Sequence, residues 1–114
     1  MKKFLILFLF AGLPLVAGNI YKVKYEYQAD VKVFVVQYQY QADLLVYEEE
    51  YEYAAKGKDE IWHYVNYAYQ ANAKVYFVDY EYQADVKIYY VKYKYQAGWQ
   101  KPSSKAQKFV GLFK

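Results

Sequence analysis

The chain has 114 residues, of which 24% are aromatic and 18 are tyrosine, with no cysteine and no arginine. That length holds one domain with one modest core. The missing cysteine excludes a disulfide framework and leaves stability to burial and backbone pairing. The missing arginine removes the side chain best suited to bidentate phosphate and base contacts, so no nucleic-acid partner is expected.

Residues 1–18 read as a signal peptide. Lys2 and Lys3 precede the apolar run from Phe4, and small residues, Ala17 and Gly18, close it before Asn19. The run contains Pro14 and is shorter than the roughly 20 residues a membrane span takes. Cleavage is expected after Gly18, with the bond after Ala17 as the alternative. The mature product is then exported, periplasmic or extracellular, with no membrane span. Its net charge falls from +3 to +1, since 13 lysines remain against 12 acids.

Residues 19–100 form the β-repeat domain. The string Tyr-x-Tyr-Gln-Ala-Asp returns from Tyr25, Tyr38, Tyr51, Tyr67, Tyr80 and Tyr93, with spacings of 13, 13, 16, 13 and 13. In the best-formed unit Val78, Tyr80 and Tyr82 alternate with Asp79 and Glu81, and Val86 and Ile88 flank Lys87. This is the period-two pattern of half-buried strands, so both stretches are expected as strand, with most tyrosines building the core or covering sheet faces. An odd repeat length would flip every side chain between units on a regular strand, so each unit must contain a corner.

Gln-Ala-Asp supplies that corner, because it lacks the glycine of a tight hairpin tip. The structural corner residues are Gln28, Ala29, Gln41, Ala42, Gln70, Ala71, Gln83, Ala84, Gln96 and Ala97, with Ala54 replacing the glutamine before Ala55. Alanine is expected where two backbone segments approach closely. The glutamine is expected as a buried amide serving unpaired backbone groups. Asp30, Asp43, Asn72 and Asp85 are expected to bond their local backbone. The fold class is therefore all-β: a compact closed repeat of short strands with Gln-Ala-Asp corners.

Residues 101–114 form a basic C-terminal tail, with Lys101, Lys105, Lys108 and Lys114 and no acid. It reads as a solvated end.

Three stretches carry a more specific likeness. Tyr80 to Tyr95 (YEYQADVKIYYVKYKY), Gln96-Ala97-Gly98-Trp99 and the insertion Lys56-Gly57-Lys58-Asp59-Glu60-Ile61-Trp62 resemble the bacterial septoil-knot domain family. The resemblance implies a short β protein whose chain winds as a deep torus knot of seven crossings, with no molecular function assigned. Glu48-Glu49-Glu50 and Ala54 depart from the pattern, and pairing from Tyr47 to Ala55 is expected to be less regular.

Catalysis is not expected. The only serines are Ser103 and Ser104 and the sole histidine is His63, so no nucleophile sits beside a base. Asp59, Glu60 and His63 make a weak metal set on one loop, and no metal or cofactor is expected. The inserted loop breaks the repeat, and Trp62, His63 and Tyr64 are the candidate ligand-binding residues on it. The competing reading has Trp62 plugging one end of the core and Trp99 the other.

The leading functional reading is a secreted structural or interaction module, monomeric, of unknown partner. A glycan- or peptide-binding protein using tyrosine-rich faces and the Trp62 loop is the alternative. A cross-β fibre is a third reading, opposed by Lys24, Lys32, Lys87, Glu26 and Glu81, which interrupt the apolar positions.

If the corner alanine marks a close approach, Ala84→Val overpacks it and costs about 1 to 3 kcal/mol. Thermal unfolding of the variant checks this, and an unchanged midpoint contradicts it.

Overall fold

The computed structural model describes residues 18–55 and 57–111. Residues 1–17, where the signal peptide is expected, Lys56 and residues 112–114 lie outside the described residues.

Seven strands form one sheet: β1 (Asn19–Lys22), β2 (Val31–Val35), β3 (Leu44–Glu48), β4 (Ile61–Tyr64), β5 (Ala73–Phe77), β6 (Val86–Tyr90) and β7 (Gly98–Trp99). The order is β4-β1-β5-β2-β6-β3, and β3 also pairs with β4, so six parallel strands close into a barrel. β7 pairs antiparallel with the start of β3, at Leu44 and Leu45. The expected closed all-β repeat is what the chain forms.

The order shows how the chain travels. β1, β2 and β3 take alternate places on a first circuit, and β4, β5 and β6 fill the gaps on a second. Each link other than that from β3 to β4 runs back outside the barrel and straddles the strand between the two it joins. The turn after β1 packs on β5, the turn after β4 on β1, and the turn after β5 on β2. The step from β3 to β4 alone joins sheet neighbours. There the three-residue insertion, Ala54 and the glutamates cluster, so the sequence departs from its repeat where the chain changes circuit.

Alternation puts one face of each strand inside. Ile20, Val33, Val46, Val75 and Ile88 are fully enclosed, joined by Val31, Leu44, Ala73, Val86 and Trp62. Burying a valine or isoleucine contributes about 1.5 to 3 kcal/mol relative to exposure. A parallel sheet needs its outer face covered as well. The links do this, with Val36, Ala42, Leu45 and Val91 forming a second cluster beneath Phe34, Tyr47 and Tyr89.

The links correct part of the sequence reading. The Tyr-x-Tyr-Gln segment is not strand: an extended tyrosine leads into one turn of 3-10 helix, as at Tyr25 followed by Glu26–Gln28. Period-two alternation cannot distinguish the two, because this turn is flanked by extended residues that keep the pattern. The corner glutamines are exposed or half-exposed instead of buried. They still satisfy backbone: Oε1 of Gln28, Gln41, Gln83 and Gln96 accepts the N–H of Tyr25, Tyr38, Tyr80 and Tyr93 at 3.3, 3.1, 3.3 and 3.1 Å. Among the corner alanines, Ala42, Ala55 and Ala84 are buried, and Ala29, Ala71 and Ala97 are half-buried.

The corner acids do not bond their own turn. Asp30 Oδ2 accepts the N–H of Lys74 at 2.8 Å, while the N–H of Asp30 donates to the carbonyl of Lys74 at 2.7 Å. Asp43 holds Lys87 and Asp85 holds Lys32 in the same two-bond hook. Asn72 holds Asn19 with its Oδ1 and N–H. The partners stand 44 or 53 residues apart, so each hook ties one circuit to the other.

The tail is also corrected. Residues 100–111 fold onto the barrel end where the strands begin, with Ala106 fully buried and Phe109 against the core. The N–H of Ser103 donates to Asp43 Oδ1 at 3.1 Å, and Gln100 Nε2 donates to the Ala42 carbonyl at 2.9 Å. Lysine spacing gave the impression of a solvated end, whereas Ala106 and Phe109 supply apolar anchors between the charges.

Asp85→Ala removes the acceptor for the Lys32 N–H and is expected to cost about 1 to 3 kcal/mol. Asp85→Asn, which keeps an acceptor as Asn72 does, should recover most of it. Chemical denaturation of both variants checks this, and equal losses would count against the hook.

Candidate functional site

The turns that strap the barrel project paired aromatic rings. In each, the extended first tyrosine lies against the sheet side of the link, and the tight turn folds the second tyrosine back over it. Tyr25 and Tyr27 stack with ring centroids 5.9 Å apart and planes 13° from parallel. The same stack recurs at Tyr38–Tyr40, Tyr51–Tyr53, Tyr67–Tyr69, Tyr80–Tyr82 and Tyr93–Tyr95, at 5.7 to 6.0 Å. Offset stacking of this kind contributes about 0.5 to 1.5 kcal/mol beyond burial.

These tyrosines do not build the core. Tyr27 is 85% exposed, against 50% for the Tyr25 beneath it. The outer rings Tyr40, Tyr53, Tyr69, Tyr82 and Tyr95 are equally open. The turns after β1, β4, β5 and β6 lie over β5, β1, β2 and β3, which spreads the tyrosine pairs around the barrel as a girdle. Lysines lie beside some inner rings: Lys24 Nζ is 5.6 Å from the Tyr25 centroid and Lys92 Nζ 5.6 Å from that of Tyr93.

The irregular unit holds its turn by charge. Glu49 takes the place filled by Val36, Val78 and Val91 in other units, and its N–H continues the ladder to the Trp62 carbonyl at 2.6 Å. Its carboxylate, nearly buried, meets Lys94 Nζ at 2.6 Å. The Lys94 hydrogen bond holds the Glu49 carboxyl below its usual pKa, against the opposing effect of burial. Ala55 closes this turn with φ −107 and ψ 39, unlike the extended caps elsewhere. The expected local irregularity is therefore present in the turn, while the ladder continues through it.

The structure keeps the Trp62 and Tyr64 rings edge to face, centroids 6.3 Å apart, and turns His63 away from them. All three share β4, and alternation sends Trp62 and Tyr64 inward and His63 outward. Trp62 is buried in the core, its Nε1 donating to the Asp59 carbonyl at 2.7 Å. His63 Nδ1 lies 3.0 Å from the Glu49 carbonyl. His63 therefore lies on the opposite face of the strand from the two rings. Trp99 Nε1 donates to Asp59 Oδ2 at 2.8 Å, so both tryptophans close the same end, not opposite ends. The Gly111 N–H donates to the same oxygen. Asp59 is thus a buried hub for β4, β7 and the tail, a role its sequence neighbours Glu60 and His63 gave no sign of. Among the described residues, no cluster of three metal-binding side chains occurs.

The other barrel end is closed by Tyr64, Phe77 and Tyr90. The Tyr64 and Tyr90 hydroxyls lie 2.5 Å apart, and Lys22 Nζ sits 4.6 Å from the Tyr64 ring centroid and 5.2 Å from that of Phe77. Burial pushes both phenols above their ordinary pKa, with Glu48 adding to the effect. They remain neutral hydroxyls at physiological pH and act as a polar latch. No helix among the described residues is long and apolar enough to cross a membrane.

A comparison with known families matches residues 17–100 to the 7(1) septoil knot domain. No curated protein and no solved structure matches the chain.

Since its folded pKa lies below the unfolded value, Glu49 contributes stability that is present above the ordinary carboxylate pKa and lost as pH falls through the lowered one. Glu49→Gln is expected to flatten the acid limb of the stability–pH curve. Urea midpoints between neutral pH and pH about 3 check this, and an unaltered limb would refute the assignment.

Proposed function

The chain belongs to the septoil knot domain family, and from that premise we propose that it is an exported interaction module that holds a neutral polysaccharide on its tyrosine girdle. One observation supports this reading above others: six stacked pairs leave their outer rings in solvent, although the barrel core is complete without them. Large exposed aromatics mark contact surfaces more often than they serve stability.

The chemistry fits sugars. An open phenol ring offers a flat face to the C–H face of a pyranose, and its hydroxyl offers a hydrogen bond to the ring substituents. Neighbouring side chains add polar groups, including Gln39 and Glu81, both exposed. A single pair supplies weak affinity, but a polymer that reaches several pairs gains through effective concentration. Trp62 has no place in this surface, because it is buried.

Affinity electrophoresis of the exported protein through gels containing neutral polysaccharides should show retardation by at least one of them. Replacing Tyr27, Tyr40, Tyr53, Tyr69, Tyr82 and Tyr95 with alanine should abolish it while the variant, less stable by the lost stacking, still unfolds cooperatively. Migration unaffected by every polysaccharide, or retardation that survives the six substitutions, sinks the proposal.

A further inference from the structure

The export reading leaves two bonds as the processing site, after Ala17 or after Gly18, and the fold distinguishes them. Gly18 stands thirteen residues before Val31 and two before Ile20, which places it immediately before β1 at the position that corresponds to Val31 in β2. Its backbone is part of the barrel. The Gly18 N–H donates to the Ala55 carbonyl, and the Gly18 carbonyl accepts the N–H of His63 at 2.8 Å. The next rung is Asn19 opposite His63.

The residue type is demanded there too. A Cβ on Gly18 would drive into the carbonyl oxygen of Ile61 and press on that of Ala55. Both are backbone atoms, one in β4 and one in the changeover link, so neither can yield as a flexible side chain would. Val31, Leu44, Ala73 and Val86 hold the corresponding place without such a restriction. A glycine used in this way belongs to the domain and not to the leader.

We infer that processing occurs at the Ala17–Gly18 bond, so that Gly18 is the first residue of the mature chain and its amino group caps the barrel seam at Ala55. This rests on the export reading, and reverses the expectation that cleavage follows Gly18. Removing Gly18 would leave the His63 N–H and the Ala55 carbonyl without these partners at the seam between β1, β4 and the changeover link. An amino group at Gly18 retains the donor toward Ala55. Hydrolysis of the peptide bond consumes one water and leaves a carboxylate on Ala17 and an ammonium on Gly18.

The test is to express the full chain in a bacterial secretion host and to determine the intact mass and N-terminal sequence of the exported product. A product beginning at Gly18 is the expected result. One beginning at Asn19 overturns the inference while leaving export standing, and a chain that is never cleaved overturns both. Gly18→Ala in the full precursor sharpens the distinction. If Gly18 is retained, the mature variant is heavier by one methylene and its unfolding equilibrium constant rises by about tenfold or more. If Gly18 leaves with the leader, variant and parent give the same mature protein, with the same mass and midpoint. Should the variant fail to accumulate, the parent's N-terminal sequence decides alone.

Discussion

Apart from β3 and β4, strands that follow one another in the chain are kept apart in this barrel, and the parallel strands that pair come from different circuits. β1 finds β4 and β5 beside it, and β2 finds β5 and β6. Every parallel hydrogen bond around the ring therefore closes a long loop, apart from those between β3 and β4. Loop closure is costly before the contacts that reward it exist. The remaining features compensate for this constraint: uniform short strands, links that lie flat across the intervening strand, and hooks that fix register between circuits.

Each conserved letter within the repeat of this one chain answers that demand differently. Alanine lets the link pass close to the sheet. Glutamine closes the 3-10 turn that reverses the path. Aspartate reaches sideways to the other circuit and aligns the first rung, so that Val31 meets Val75 and Val33 meets Val86. Tyrosine is the exception, since its outer copy serves no such purpose. The changeover from β3 to β4 has no strand to straddle, and there the pattern relaxes into Glu49, Ala54 and the inserted residues.

Much of this was legible in the amino-acid sequence, because the repeat was. Strands such as Val31–Val35 follow from alternating valine and lysine, and the corner follows from an odd repeat length that alternation cannot accommodate. Partners were not legible. Asp30 bonds Lys74, and nothing local to either residue announces the other. Tyr80-Glu81-Tyr82 alternates like a strand yet forms an exposed turn, since period two records side-chain spacing and not which side meets water. Trp62 and Trp99 lie 37 residues apart in the chain and converge on Asp59, a meeting only the closed barrel creates. In the tail the apolar anchors Ala106 and Phe109 are masked in the sequence by the lysines around them.

The interleaved order bears on how the chain is made. As a ribosome releases β1, β2 and β3, none of these has a bonding neighbour among the others, for their places in the ring are separated by strands not yet synthesised. The first half is therefore not a half-built barrel. A chain that stops before β4 holds no two strands that pair in the finished barrel. Completion waits on the second circuit, which fills the gaps the first leaves open.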